Sequence, residues 1–570
     1  MKKMAAFAIF LFIVTLAPSL EAASSENDAS IPVARPTSVI HNFSAEAWME
    51  KACAGVVNRE TCVASLQEHH DGGSRHTPAS ILTAAMRSTL KEARSAIDTM
   101  TKFTALSFSY REQVAVEDCK ELLDFSVSEL AWSLAEMNMV RARAAGVAQQ
   151  QQQQQGEPIL ESSEGNLKAW LSAALSNQDT CLEGFQGTDR HVEKFIRGSL
   201  KQVTQLIGNV LALYTELHTM PFRAAPSTRD HPPVPVVTNS SPEFPDWMVQ
   251  SDRKAVKSNP RDMRIDAVVA LDGSGHFRTI GDAVDRAPPH SIRRYVIFIK
   301  KGIYRENIDL KKKKTNIMLV GEGIGQTIVT GNRNFMQGWT TFRTATFAVS
   351  GKGFIARDIT FRNTAGPANH QAVALRVDSD QSAFYRCSME GYQDTLYAHS
   401  LRQFYRECEI YGTIDYIFGN GAAVFQNCKI HTRVPLPMQK VTITAQGRKS
   451  PHQSTGFSIQ DSFVYATQPT FLGRPWKEYS RTVFMNTYMS GSVQPRGWLK
   501  WFGNFGLGTL WYGEYKNYGP GASLSGRVKW PGYHIIKDAA TARFFTVGQF
   551  IDGGSWLPAT GVKFTAGLSN

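Results

Sequence analysis

Between residues 384 and 428 the chain repeats itself. Phe384-Tyr385-Arg386-Cys387, Phe404-Tyr405-Arg406-Glu407-Cys408 and Val424-Phe425-Gln426-Asn427-Cys428 recur at intervals of 20 to 21 residues. A period of that length is one turn of a coil, and a coil that short buries its inner face only against the coils on either side. From Asp266 onward, apolar runs such as Tyr295–Ile299 and Thr346–Val349 are short and are separated by Gly, Asn and Asp, as strands are. The repeat therefore predicts a mainly β architecture, a right-handed parallel β-helix. A leucine-rich solenoid would need a Leu/Asn consensus that is missing, and a β-sandwich would not need the strict period.

The first part of the chain has a different period. Ile81, Leu82, Ala85, Met86, Leu90, Ala93 and Ile97 recur every three or four residues, the spacing of one buried helix face. Similar stripes run through 122–134, 167–182 and 203–217, which predicts an all-α four-helix bundle over 41–220. Seven consecutive glutamines, Gln149–Gln155, interrupt it as a solvated loop. Seven prolines within 221–245 resist helix, so 221–262 reads as a linker ahead of a β-helix over 263–570. At the N-terminus, Lys2 and Lys3 precede an apolar run and a small-residue site near Ala22, so residues 1–22 read as a secretory signal peptide. The sequons at Asn42 and Asn239 agree with secretion and glycosylation. No later stretch is long and apolar enough to span a bilayer.

Charge divides along the same boundary. Residues 1–250 carry 21 Lys and Arg against 28 Asp and Glu, a net of −7, whereas residues 251–570 carry 41 against 22, a net of +19. A basic domain beside an acidic one suits a polyanionic partner for the first, and on charge alone nucleic acid, anionic membrane and acidic polysaccharide all qualify. Seven Cys in an oxidising compartment allow three disulfides and one thiol. Cys53 and Cys62 can close a small loop, and Cys119 and Cys181 can staple two helices. In the row Cys387, Cys408 and Cys428, spacing allows either adjacent pair.

The coil period also makes a chemical prediction. Gln371, Asp394 and Asp415 are 23 and 21 residues apart, about one coil each, and should stack on one outer face roughly 4.8 Å apart per coil. Two stacked carboxylates repel, so one holds a proton or a cation sits beside them. That is one way to make an acid and a base from identical side chains.

Five segments then carry a resemblance. Gly302-Ile303-Tyr304-Arg305-Glu306, Gln371-Ala372-Val373-Ala374-Leu375, Tyr392-Gln393-Asp394-Thr395-Leu396-Tyr397, Ile414-Asp415-Tyr416-Ile417-Phe418-Gly419 and Leu472-Gly473-Arg474-Pro475-Trp476 resemble, in order, the signature segments of plant pectin methylesterases. The helical region, with Cys53, Cys62, Cys119 and Cys181, resembles the inhibitor domain that precedes the enzyme in the long plant form. The resemblance implies a secreted, wall-located ester hydrolase that acts on methyl-esterified pectin and needs no metal or other cofactor. Nucleic acid and membrane are then not its partners. It implies Asp415 as nucleophile, Asp394 as general acid and then base, Gln371 and Gln393 as donors to the oxyanion, and Arg474 as the group orienting the nucleophile. Thr341, Gln371, Arg474, Trp476 and Trp498 match substrate contacts. The family pattern favours a Cys387–Cys408 disulfide and leaves Cys428 free. It also implies that the helical domain restrains the enzyme and that a processing protease separates the two. The stretch Ser251-Asp252-Arg253-Lys254-Ala255-Val256 departs from the family here, with Ala-Val where a dibasic motif is usually followed by Leu. The competing readings are a pectinase cutting glycosidic bonds and a non-catalytic pectin-binding wall protein. The sequence has no Asp-Asp pair and no calcium-binding carboxylate cluster for the first, and no aspartate or glutamine of the constellation is replaced, as the second would favour.

Overall fold

The computed structural model describes residues 45–54, 59–68, 78–103, 109–147, 159–219 and 264–569. The signal-like segment, both sequons, the glutamine run and the linker lie outside them.

Two short helices, α1 (Ala45–Ala52) and α2 (Arg59–Glu68), precede four long ones: α3 (Pro78–Phe103), α4 (Tyr110–Val147), α5 (Ile159–Glu183) and α6 (His191–Thr219). Ile81, Leu82, Ala85, Met86 and Ala93 of the predicted stripe are buried, and Leu90 and Ile97 close its edge. Cys53–Cys62 ties α1 to α2, and Cys119–Cys181 ties α4 to α5. Both pairings follow the expectation.

From Ala267 onward the strands form three sheets of eleven, eight and seven strands, and every pairing is parallel. Each coil gives one strand to each sheet, which is the predicted parallel β-helix. A short helix, Ile280–Arg286, packs on the first strand and contributes Ile280, Ala283 and Val284 to the core. The interior is built of ladders. Phe384 stacks on Tyr405 at 4.9 Å and Tyr405 on Phe425 at 4.6 Å. The pairing register puts Phe384 opposite Tyr405 and Tyr405 opposite Phe425. The repeat thus aligns from its cysteine backward, with Ala383 opposite Phe404, one step from the frame that Phe-Tyr-Arg suggests by eye.

The residue before each cysteine turns the corner between two sheets. Arg386, Glu407 and Asn427 have φ of 48°, 53° and 57°, and Asp461 and Asn486 repeat the turn in later coils. That left-handed corner costs an L-residue about 1–2 kcal/mol and recurs because the sharp bend recurs.

Cys387, Cys408 and Cys428 are buried free thiols, so the expected Cys387–Cys408 disulfide is not formed. Each occupies the same inner corner position of successive coils. Cys408 has a neighbour on both sides, and its sulfhydryl points to the Phe384 carbonyl at 3.4 Å. Alkylation of unfolded, unreduced protein should modify these three cysteines and none of the other four; recovery of a cross-linked 387–408 peptide would reinstate the bridge. Tyr405→Ala should cost about 3–5 kcal/mol, read from chemical denaturation, because it leaves a hole between two stacked rings.

Candidate active site

The seven-stranded sheet runs, in order, through Thr470–Gly473, Val441–Gln446, Ile417–Gly419, Leu396–Ala398, Leu375–Val377, Phe347–Val349 and Ile308–Leu310. Its outward row reads Ala348, Arg376, Tyr397, Phe418 and Ala445 in register. Leu396 pairs with Ile417, so Asp394 and Asp415, two residues before them, occupy the same place in adjacent coils. Both have left-handed backbone, with φ of 61° and 50°. Aspartate tolerates that conformation better than most residues, and strained corners of this kind cluster at functional sites.

Gln371, Gln393, Asp394, Asp415, Arg474, Thr341 and Trp476 all line one cavity of about 350 Å³. Gln371 sits two residues before the position in register with Asp394, which keeps it on the same face. The Asp394 N–H donates to the Ile414 carbonyl at 3.0 Å, and the Ala372 N–H to the Gln393 carbonyl at 3.2 Å. These backbone bonds fix the spacing of the four residues.

Asp415 is held from two sides. Arg474 donates from Nε to Oδ1 at 2.8 Å and from its terminal nitrogen to Oδ2 at 2.6 Å, a bidentate clamp. The Thr442 hydroxyl donates to Oδ1 at 2.7 Å and accepts from the Asp415 N–H at 3.0 Å. The Arg474 guanidinium lies 4.3 Å from the Trp501 ring centroid, which stiffens the clamp. Two motif glycines are steric necessities here. A Cβ on Gly473 would meet the Thr444 hydroxyl at 2.0 Å, and one on Gly419, whose φ is 123°, would meet the Ala398 carbonyl at 2.1 Å.

Asp394 has no such clamp. Burial first, and then the Asp415 carboxylate, push it well above the ordinary carboxylate range, while Arg474 pulls it back in part. The site therefore pairs a clamped carboxylate with a second carboxyl group in register beside it that holds a proton more tightly than an ordinary aspartate, an arrangement suited to nucleophilic attack and proton delivery.

Trp498 does not belong to the site. It is fully buried within the solenoid, stacked 4.1 Å from Tyr512 and donating from Nε1 to Glu514 at 3.3 Å. Trp501, three residues on, lines the cavity in its place. The sequence reading also missed Thr442, because the longer turn between the strands Lys429–Thr432 and Val441–Gln446 breaks the 21-residue period there. Tyr397 and Phe418, stacked at 4.1 Å, and Phe342 complete the apolar wall.

The rest of the lining comes from the bundle. Thr180, Glu183, Gly184 and Gln186, at and just beyond the end of α5, face the same cavity. Lys477 donates to Glu183 at 2.6 Å and Lys449 meets Asp179 at 2.9 Å.

Comparison with known proteins gives one answer for each part of the chain. The family model described as Pectinesterase matches residues 266–554, and the one described as Plant invertase/pectin methylesterase inhibitor matches residues 47–213. A pectinesterase/pectinesterase inhibitor of Arabidopsis thaliana is 63% identical over 522 residues, covering 91% of this chain and 93% of its own. One from Prunus persica is 48% identical over 498 residues, covering 86% and 89%. Among solved structures, pectin methylesterase from carrot aligns with a TM-score of 0.53 and 55% identity, covering 53% of this chain and 98% of its own.

The opposed influences on Asp394 can be separated by titration. Followed by the carboxyl carbon signal of labelled aspartate, its pKa should fall in Asp415→Asn, which removes the repelling charge, and rise in Arg474→Gln, which removes the attracting one. An unchanged value in both variants would mean that the two coils do not communicate.

Proposed function

The chain belongs to the pectinesterase family, and from that premise we propose how its groove removes methyl groups from pectin. The activity is hydrolysis of the methyl esters of pectin, a carboxylic-ester hydrolysis that releases methanol and leaves free carboxylates. The observation that carries the mechanism is the clamp of Arg474 on Asp415 with Asp394 in register beside it.

In the proposed sequence, Asp415 attacks the ester carbonyl carbon. The two-point clamp of Arg474 and the Thr442 hydroxyl hold its carboxylate aimed, which a weak carboxylate nucleophile needs. The carbonyl oxygen gains negative charge, and the side-chain amides of Gln371 and Gln393 donate to it. As the tetrahedral species collapses, the bond to the methoxy oxygen breaks and Asp394 gives that oxygen its proton, releasing methanol. The enzyme is left with an anhydride between Asp415 and the sugar carboxyl. Asp394, now a carboxylate, takes a proton from water, and the water oxygen attacks the same sugar carbon. Asp415 leaves as a carboxylate, Asp394 is again protonated, and the product carboxyl ionises into solvent. Thr341 and Trp476 contact substrate along the groove, and Trp501 replaces Trp498 in that role.

We assign residues 1–22 as signal, 41–220 as the inhibitor-like bundle, 221–262 as linker and 263–570 as the enzyme, secreted to the plant cell wall where pectin lies. Among the described residues, no helix is long and apolar enough to cross a membrane. The bundle acts as an intramolecular restraint, a reading supported by the end of α5 lying over the cavity. A protease cutting between the two domains then frees the groove.

Two experiments test these proposals. Asp415→Asn should form no acyl-enzyme and release no methanol, while Gln371→Ala and Gln393→Ala should each lower kcat by about 10²–10³ with smaller changes in KM, because their donors act mainly on the transition state. Wild-type methanol release from a folded Asp415→Asn variant would remove Asp415 as nucleophile. For the restraint, residues 263–570 should release methanol faster than the full chain at low salt, and added salt should narrow the gap by weakening the interdomain ion pairs. Equal rates at both salt concentrations would end the restraint reading. The truncated form is a fair reagent, since the solved carrot chain aligns over 98% of its length with 53% of this one.

A further inference from the structure

Beyond Phe342, at the end of the cavity away from Lys477, the β-helix gathers Lys311, Lys312, Arg343 and Arg376 around Asp309 and Asp378. Asp309 accepts from Arg343 and from Lys311, both at 2.7 Å, and lies 3.7 Å from Arg376. Asp378 accepts from Arg376 at 3.1 Å. Four cations therefore face two carboxylates of their own domain.

The bundle brings three more carboxylates to this cluster. Asp118 of α4 accepts from Arg343 Nε at 2.5 Å and from the Thr340 hydroxyl. Glu121, one helical turn on, accepts from Arg343 and from Lys311 at 2.7 Å. Glu129 accepts from Lys312 at 3.0 Å. Asp118 and Glu129 are buried, and burial leaves them raised to about 6 and about 7 even with these cations opposing it. Burial therefore outweighs the cations at both positions, and these two carboxyl groups are held in the interface at a cost that losing their partners would increase.

The cations are continuous with the groove. Thr341 and Phe342 line the catalytic cavity, Arg343 follows them in the chain, and the Arg376 guanidinium lies 3.4 Å from the Phe342 ring centroid. The strand that follows Arg343, Phe347–Val349, is two coils from the strand that follows Asp394, about 10 Å along the solenoid. A polymer lying in the groove and bearing a carboxyl on every sugar would bring one to this point.

We propose that Lys311, Lys312 and Arg343 form a subsite for the free carboxylates of pectin already de-esterified, and that Asp118, Glu121 and Glu129 occupy it as stand-ins while the bundle is docked. The inference rests on the pectinesterase reading and deepens it. Each turnover leaves a carboxylate on the chain, and this subsite favours an ester that has such carboxylates nearby over one in a fully esterified stretch. De-esterified pectin and the bundle then compete for the same cations.

The test uses residues 263–570 carrying Asp415→Asn, with a short, fully de-esterified oligogalacturonate as probe in titration calorimetry. Binding should weaken about five- to tenfold in Lys312→Gln and in Arg343→Gln, recover in Arg343→Lys, and weaken with salt. In the Asp415 enzyme, the same two neutral substitutions should raise KM for a half-esterified oligomer by that factor relative to a fully esterified one. Binding undiminished by either substitution, or a KM rise equal for both oligomers, overturns the subsite. Charge-dependent binding by a protein that releases no methanol from any oligomer would instead leave the subsite standing and remove the catalytic reading.

Discussion

Parallel hydrogen bonding between coils is the constraint from which the other features descend. Once Leu375, Leu396 and Ile417 are paired in register, each position of one coil has a fixed counterpart about 4.8 Å away in the next. Inside the solenoid this makes ladders of like side chains, Phe384 on Tyr405 on Phe425. At the corners it makes the same left-handed bend at Arg386, Glu407 and Asn427. On the outer face it places two carboxylates in adjacent coils, where neither can ionise without regard to the other. Arg474, arriving from two strands further along the sheet, resolves that conflict by taking one of them.

Much of this could be read from the sequence because a period is a geometric statement. The 20–21-residue repeat implied the solenoid, and the 21-residue step from Asp394 to Asp415 implied their juxtaposition. What could not be read was whatever the period does not govern. The repeat shows a row of cysteines but not whether any two are joined, and all three are thiols. Thr442 follows a longer turn, so its contact with Asp415 has no signature in the spacing. Trp498 and Trp501 differ by three residues in an irregular segment, where neither a strand's alternation nor a helix's stripe says which ring faces inward. Which residues of the repeat face one another is likewise not fixed by its most visible letters. Phe-Tyr-Arg recurs at two places, but the corner residue before the cysteine fixes the alignment.

The bundle meets the β-helix by two different kinds of contact. An apolar cluster joins Ala345, Ala348, Val373, Tyr397, Phe418 and Ala445 of the enzyme to the bundle core. Around it lie direct polar bonds: Trp170 Nε1 donates to Asp380 at 2.9 Å, Asn420 to the Ser176 hydroxyl at 2.7 Å, and Lys477 to Glu183. The opposed net charges of the two domains resolve into particular partners, such as Lys477 with Glu183 and Arg343 with Asp118.

Because both halves of this interface belong to one chain, its strength need not be that of a tight complex. A covalent connection holds the bundle at an effective concentration on the order of millimolar. Docking with a dissociation constant on the order of micromolar would therefore be almost saturated while the chain is intact, roughly a thousandfold above half-occupancy. A single cut alters no contact between Asp118 and Arg343 or between Glu183 and Lys477. It turns a first-order equilibrium into a second-order one, and from then on dilution alone decides how long the two halves stay together.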